Sequence, residues 1–300
     1  MLNASTRGTS SGTGSADLLT QTLNTWQERQ LRVRTSYQRA IWTPDHKRGL
    51  ARLPWITWSI LLLTCGLWCL TAYQVALNAG AHTPTDILAN VLSNSEDTDI
   101  LVAFGAKYNA AIKAGQYWRL VTPMFLHANL LHVALNMLNF LFLGLVVERI
   151  FGHLRFLLVY LLTGVISILA SLWFAPQEIS VGASGAIFGL VGAYSAFIVL
   201  HRRAFRYGGL PALAWLILVI GLNLGVGFVI PNVDNYAHIG GLLSGGLLGW
   251  LFTPFYSVTL QNEEPILVDT QSLTRRWPLA LLMIVMTVLI AIIAIHFVGG

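Results

Sequence analysis

A serine, a histidine and two further polar side chains stand in stretches that are otherwise almost wholly apolar. Ser184 lies in VGASGAIFGLVGA (181–193), His238 in NYAHIGGLLSGG (235–246), and His132 and Asn136 in FLHANLLHVALNMLNF (125–140). A serine hydroxyl is a weak nucleophile until a neighbouring base takes its proton, and a neutral imidazole is such a base. Imidazole and amide N–H groups four residues apart on one helical face could meet the oxyanion of a tetrahedral intermediate, where one lost donor raises the barrier by about 3 kcal/mol. Taken singly, each residue has a plainer role. A lone histidine in an apolar helix often bonds a neighbouring helix, and a serine among glycines often only permits close packing.

Which role applies depends on where these residues sit. Of the 300 residues 55% are hydrophobic and 10% charged, against about 25% charged in soluble domains. A membrane-spanning helix needs about 20 mostly apolar residues. Seven charge-free intervals satisfy that length, 53–85, 120–147, 156–177, 179–201, 207–233, 235–262 and 277–300. Seven spans are therefore predicted. Of the 18 Lys and Arg residues, all but Lys107, Lys113 and Arg119 fall on one side of such a chain, leaving 15 there. Positive charge marks the cytoplasmic side, so the N-terminus is expected inside and the C-terminus outside, with the plasma (inner) membrane as the expected location.

At about 1.5 Å per helical residue, Ser184 stands about 24 Å above the inner end of its span, His238 about 21 Å, His132 about 22 Å and Asn136 about 17 Å. Polar groups on three separate helices thus share one level. That level is about a quarter of a ~30 Å core below the outer surface, where a water-filled cavity is needed. A transporter or channel would scatter polar groups over several depths, and no Asp, Glu, Lys or Arg lies within a span core. The glycines fit the same picture. Gly182 and Gly185 would let a substrate backbone approach the hydroxyl, and Gly241 and Gly245, spaced GxxxG, would let the sixth span close on the fourth.

The stretches WRLVTPMFLHANLLHVALNML (118–138), GASGAIFG (182–189) and AHIGG (237–241), in this order on alternating spans, resemble the rhomboid family of intramembrane serine proteases. The resemblance covers about 115–252. It implies an all-α polytopic membrane protein with a six-helix rhomboid-like core and one extra C-terminal transmembrane helix. It implies Ser184 as nucleophile and His238 as its only base, without a triad acid, with an acyl-enzyme intermediate. His132, Asn136 and the Ser184 backbone N–H are implied at the oxyanion, and Phe188 as the ring against the histidine, a phenylalanine where the family has tyrosine. Trp118 and Arg119 match a structural loop motif, and Glu148 resembles the acidic residue that anchors that region, although depth counting puts Glu148 at the inner end of the second span and Arg119 outside it. The implied substrates are single-span membrane proteins, cut in or beside the transmembrane segment near the outer face. A catalytically dead relative that only binds such proteins would have no need to keep both Ser184 and His238.

The domain reading is a cytoplasmic N-terminal extension (1–52), comprising a disordered tail and a basic amphipathic segment over 18–42, then the six-span core (53–252), a solvated cytoplasmic linker (253–276) carrying Glu263, Glu264 and Asp269, and the seventh span (277–300). The amphipathic segment lies on the inner leaflet or forms a small bundle. The long external loop, about 80–119, is expected in the outer interface with Tyr117 and Trp118 at headgroup level. The net charge of +5 is mostly topological bias, so membrane lipid is the expected partner and nucleic acid is not. No metal or other cofactor is expected. His127 and His132 are five residues apart with Asn129 between them, whereas a zinc protease helix needs HExxH.

Overall fold

A computed structural model describes residues 20–25, 27–28, 53–93, 96–205, 209–229, 233–261 and 264–297. Residues 20–25 are helical, and most of the predicted amphipathic segment, like the tail before it, lies outside the described residues. Seven helices of 17 residues or more follow, one to each charge-free interval: α1 (Trp55–Asn78), α5 (Leu130–Phe151), α6 (His153–Phe174), α7 (Ser184–Leu200), α8 (Leu210–Val229), α9 (Asn235–Phe252) and α10 (Leu273–Phe297). By length and composition α1, α5, α6 and α10 can cross a membrane, while α7 and the first part of α8 are shorter apolar helices. The long loop after α1 contributes three short helices, α2 (Pro84–Leu92), α3 (Thr98–Phe104) and α4 (Asn109–Lys113), and two 3-10 turns over Tyr117–Leu120 and Thr122–Phe125.

Helix α7 is apolar around its whole circumference, as expected of a helix enclosed by others. Ile187, Leu190, Val191, Phe197 and Ile198 join the main core with Phe140 of α5, Tyr160 of α6 and Leu248 of α9. The α7–α9 contact is set by small residues. A Cβ on Gly241 would collide with the Gly185 carbonyl, one on Gly245 with the Gly189 carbonyl, and one on Gly249 with Ala193. The two backbones therefore touch directly. Helix α10 is peripheral, laying Ala291 and Ala294 against Ile168, Leu169 and Leu172 of α6 and Ile112 of α4.

Side chains at helix starts fix how the chain enters the bundle. The first backbone N–H groups of a helix lack partners within it, and side-chain oxygens supply them. Asn129 accepts from His132 N at the start of α5 (2.9 Å), and Asp234 accepts from Ala237 N at the start of α9 (2.9 Å). Glu148 does this for a different helix. Buried at the end of α5, it accepts from Ile56 N (3.1 Å), Thr57 N (2.7 Å) and Thr57 Oγ1 (2.6 Å) at the start of α1, and lies 2.5 Å from His153 Nδ1.

That arrangement corrects the implied role of Glu148 in the loop. Arg119 holds the loop by other means, donating from Nη1 to Val102 O (2.7 Å) and Ala106 O (2.9 Å) and from Nε to Gln116 Oε1 (2.7 Å). Trp118 beside it is exposed. Nor does the loop only rest in an interface, since Lys107, Asn109, Ile112 and Arg119 are buried against protein.

The linker also departs from a plain solvated tether. Strands β1 (Tyr256–Gln261) and β2 (Glu264–Asp269) pair as an antiparallel hairpin, Tyr256 opposite Asp269. Tyr256 donates its hydroxyl to Ile150 O (2.7 Å). The buried Arg155 donates to Asp269 Oδ2 (2.7 Å) and to Gln271 O, and Arg276 donates to Leu251 O. Arg155, a charge in the first turn of α6, therefore binds the linker, and α6 itself starts at His153, ahead of the charge-free interval. Glu263 lies outside the described residues.

Candidate active site

The chain does not enter α7 as a helix. From Ala175 to Ala183 it runs without helical structure, with Pro176 near its start and Gly182 near its end. Gly182 has φ +127°, which a side chain would strain, and a Cβ there would lie 2.8 Å from His132 Nε2. The glycine is thus required by the imidazole beside it as well as by its backbone angle. Gly182 N donates to Pro123 O (2.9 Å), and Ala183 N donates to His127 Nε2 (3.4 Å). These bonds deliver Ser184 as the first residue of α7.

At that point the Ser184 hydroxyl meets His238 Nε2 at 2.8 Å, across 54 residues of chain. With the ring proton on Nδ1, the hydroxyl donates to Nε2. No carboxylate bonds Nδ1 among the described residues. The imidazole is instead oriented by Phe188, one turn beyond Ser184, whose ring stacks on it at 4.6 Å and 14°. His132 is in the first turn of α5, Ser184 in the first turn of α7 and His238 in the first turn of α9. Three helix N-termini, each carrying partial positive charge, converge on one place.

A cavity of about 790 Å³ opens there, lined among others by His132, Asn136, Ser184, Phe188 and His238. It extends between α5 and α8, past Leu143 and Ile220. Asn136 is buried and spends one amide N–H on His132 O of its own helix (3.0 Å). Gly185 borders the same cavity, but the place of its missing side chain is taken by Ser167 of α6 and the Ala237 carbonyl. Its smallness therefore admits neighbouring helices, a different reason from the substrate approach expected of it. Trp118 and Arg119 are not among the lining residues.

Two residues have a place here that their sequence did not assign them. His127 is buried, in edge-on contact with the His132 ring at 5.0 Å, and receives the N–H of the residue before Ser184. The HANLLH spacing held that signal. Lys107, counted only as an external charge, is fully buried and bonded to the segment leading to Ser184.

Residues 114–255 match the family model described as a Rhomboid domain. Rhomboid protease GluP of Bacillus subtilis (strain 168) is 45% identical over 159 residues, 53% of this chain and 30% of that protein. RHOMBOID-like protein 4 of Arabidopsis thaliana is 39% identical over 163 residues, 54% of this chain and 41% of that protein. Rhomboid-like protease 3 of Toxoplasma gondii is 34% identical over 211 residues, 64% of this chain and 78% of that protein. The match thus spans less than half of the first two relatives and most of the third.

Proposed function

The chain belongs to the rhomboid family of integral membrane proteins, and on that footing we propose that it is an intramembrane serine protease cutting single-span membrane proteins near the outer face. The observation that carries the reading is the 2.8 Å approach of Ser184 Oγ to His238 Nε2 inside a cavity. In the proposed reaction Ser184 Oγ attacks the scissile carbonyl carbon while its proton passes to His238 Nε2. The carbonyl π pair moves onto oxygen. Collapse of the tetrahedral intermediate breaks the C–N bond, and the leaving amine takes the proton from His238. Water then attacks the acyl-serine, giving a proton to His238, and the second collapse returns that proton to Ser184 Oγ as the acid leaves.

The negative oxygen of each intermediate would form beside the first turn of α7. Backbone N–H groups there have no partner within the helix, and the helix end favours negative charge. The His132 Nε2–H reaches the same place, next to Gly182. Asn136 would offer its second amide hydrogen. On this account His132→Ala lowers kcat by about 100-fold with KM changed by less than about 3-fold, because the oxyanion exists only in the transition state. Asn136→Ala has a smaller effect, about 10-fold, since its amide is shared with His132 O. Steady-state kinetics separate the two quantities, and losses confined to KM would assign both residues to packing.

The proposed orientation puts the N-terminus and the β1–β2 hairpin in the cytoplasm, the C-terminus outside, and the protein in the plasma (inner) membrane. Reconstitution of the full chain in liposomes with a single-span substrate tests the function. Two fragments are expected, their masses placing the cut at a peptide bond near the outer boundary. Binding of the substrate without fragments would mark a catalytically dead relative.

A further inference from the structure

Lys107 carries its charge into the protein interior. It lies in the external loop between α3 and α4, and none of its surface is exposed. A buried ammonium persists only when hydrogen-bonded and faced by opposite charge. Its Nζ donates to Ala175 O at 2.6 Å and to Glu178 O at 2.8 Å. Its backbone adds an antiparallel bridge, Lys107 N to Ser180 O (3.0 Å) and Ser180 N to Lys107 O (3.2 Å). One residue thus grips the non-helical segment at Ala175, Glu178 and Ser180, and that segment ends on Ser184.

The surrounding charges are few. The Glu178 and Asp234 carboxylates act on the ammonium in its favour. Arg119 approaches from the other side of the loop, donating to the carbonyl of Ala106, the residue before Lys107.

We propose that Lys107 is a positioning residue of the proteolytic site, its ammonium fixing the segment that sets where Ser184 Oγ stands, so that turnover depends on its protonation. The inference rests on the Ser184–His238 reading. Burial pulls the ammonium down from its ordinary 10.5 to about 8, against the opposing influence of Asp234 and Glu178. Below that pH the bonds to Ala175 O and Glu178 O are charge-assisted, roughly twice as strong as those of a neutral donor. Above it the hold slackens and the two carboxylates lose their counter-charge. Turnover therefore falls as pH rises through about 8. Stability moves oppositely. Because the unfolded chain keeps this proton to higher pH than the folded one, the group favours folding increasingly between about 8 and 10.5. Lost turnover in that window is thus not loss of fold on this group's account.

The test measures kcat and KM from pH 6 to 10 for the full chain in detergent, using a single-span substrate with no group titrating in that range. For the wild type kcat is expected to fall about tenfold across an alkaline limb, with KM changed less than about 2-fold. Lys107→Met, which keeps the apolar stem, should lower kcat about tenfold at pH 7 and abolish the limb. Glu178→Gln alters an exposed side chain and should move the limb down by about 0.3 pH unit at low ionic strength, less in high salt. A flat wild-type profile, a limb that persists in Lys107→Met, or one that ignores Glu178→Gln overturns the proposal. Should Lys107→Met not fold, the wild-type and Glu178→Gln profiles decide. Cleavage that needs Ser184 but lacks the limb removes Lys107 alone, whereas cleavage indifferent to Ser184→Ala removes the underlying reading.

Discussion

Ser184→Ala and His238→Ala are each expected to reduce cleavage of a single-span substrate by about 10⁴-fold or more, with the protein folded and inserted as before. The alanine at 184 leaves no atom to form the acyl-enzyme. The alanine at 238 leaves a hydroxyl with no base, since no carboxylate bonds the imidazole and no other ring nitrogen is bonded to Ser184 Oγ among the described residues. Groups acting on one proton transfer fail together, so the double variant should be about as slow as either single one. Neither change opens the bundle, because both side chains face the cavity. Thermal unfolding in detergent provides the control. Cleavage within about tenfold of wild type in either variant would remove the assignment.

The second large effect comes from a residue with no reactive atom. Gly245→Ala places a methyl group against the Gly189 carbonyl, and Gly241→Ala against the Gly185 carbonyl. Each obstacle is backbone in the facing helix, which cannot rotate aside. Helix α9 must therefore move off α7, and His238 moves with it. A displacement near 1 Å at a reacting pair costs about 100-fold in rate, so either variant is expected to lose at least that. Gly246→Ala is the matched control one residue along the same helix. Its added methyl meets nothing within 4 Å, and its rate should stay within about twofold of wild type, as for an unhindered surface change. Equal loss at 245 and 246 would mean that general helix disturbance, not close approach, governs the site.

Much of this architecture could be read from the residues because the bilayer constrains them so severely. Charge-free intervals located the seven long helices among the described residues, and counting residues from the C-terminal ends of α5, α7 and α9 brought Ser184, His132 and His238 to one level. The count worked since α5, α7 and α9 are unbroken below those residues. It could not show that the three residues occupy first turns, because the interval holding α7 continues five residues above Ser184 without a charge. Pro176 and Gly182 were the available signs that this stretch is not helical.

Other features depend on tertiary partners that spacing does not encode. The carboxylate of Glu148 serves the start of α1, some 91 residues earlier, and nothing local distinguishes it from a surface charge at a helix end. Lys107 reads as a solvated loop residue until Ala175 and Glu178 are seen to face it. The β1–β2 hairpin was obscured by the acids between and at the ends of its strands, which read as a solvated linker, and Arg155 by its place at the edge of an apolar run. Gly185 was legible as a small residue, but which neighbour required the space was not.

The most direct measurement is covalent trapping with a serine-reactive fluorophosphonate in detergent, followed by mass mapping of the labelled peptide. A single adduct on Ser184, absent from His238→Ala, is the expected result. Labelling at another serine, or an unmodified Ser184 in a preparation that still cleaves substrate, would contradict the account.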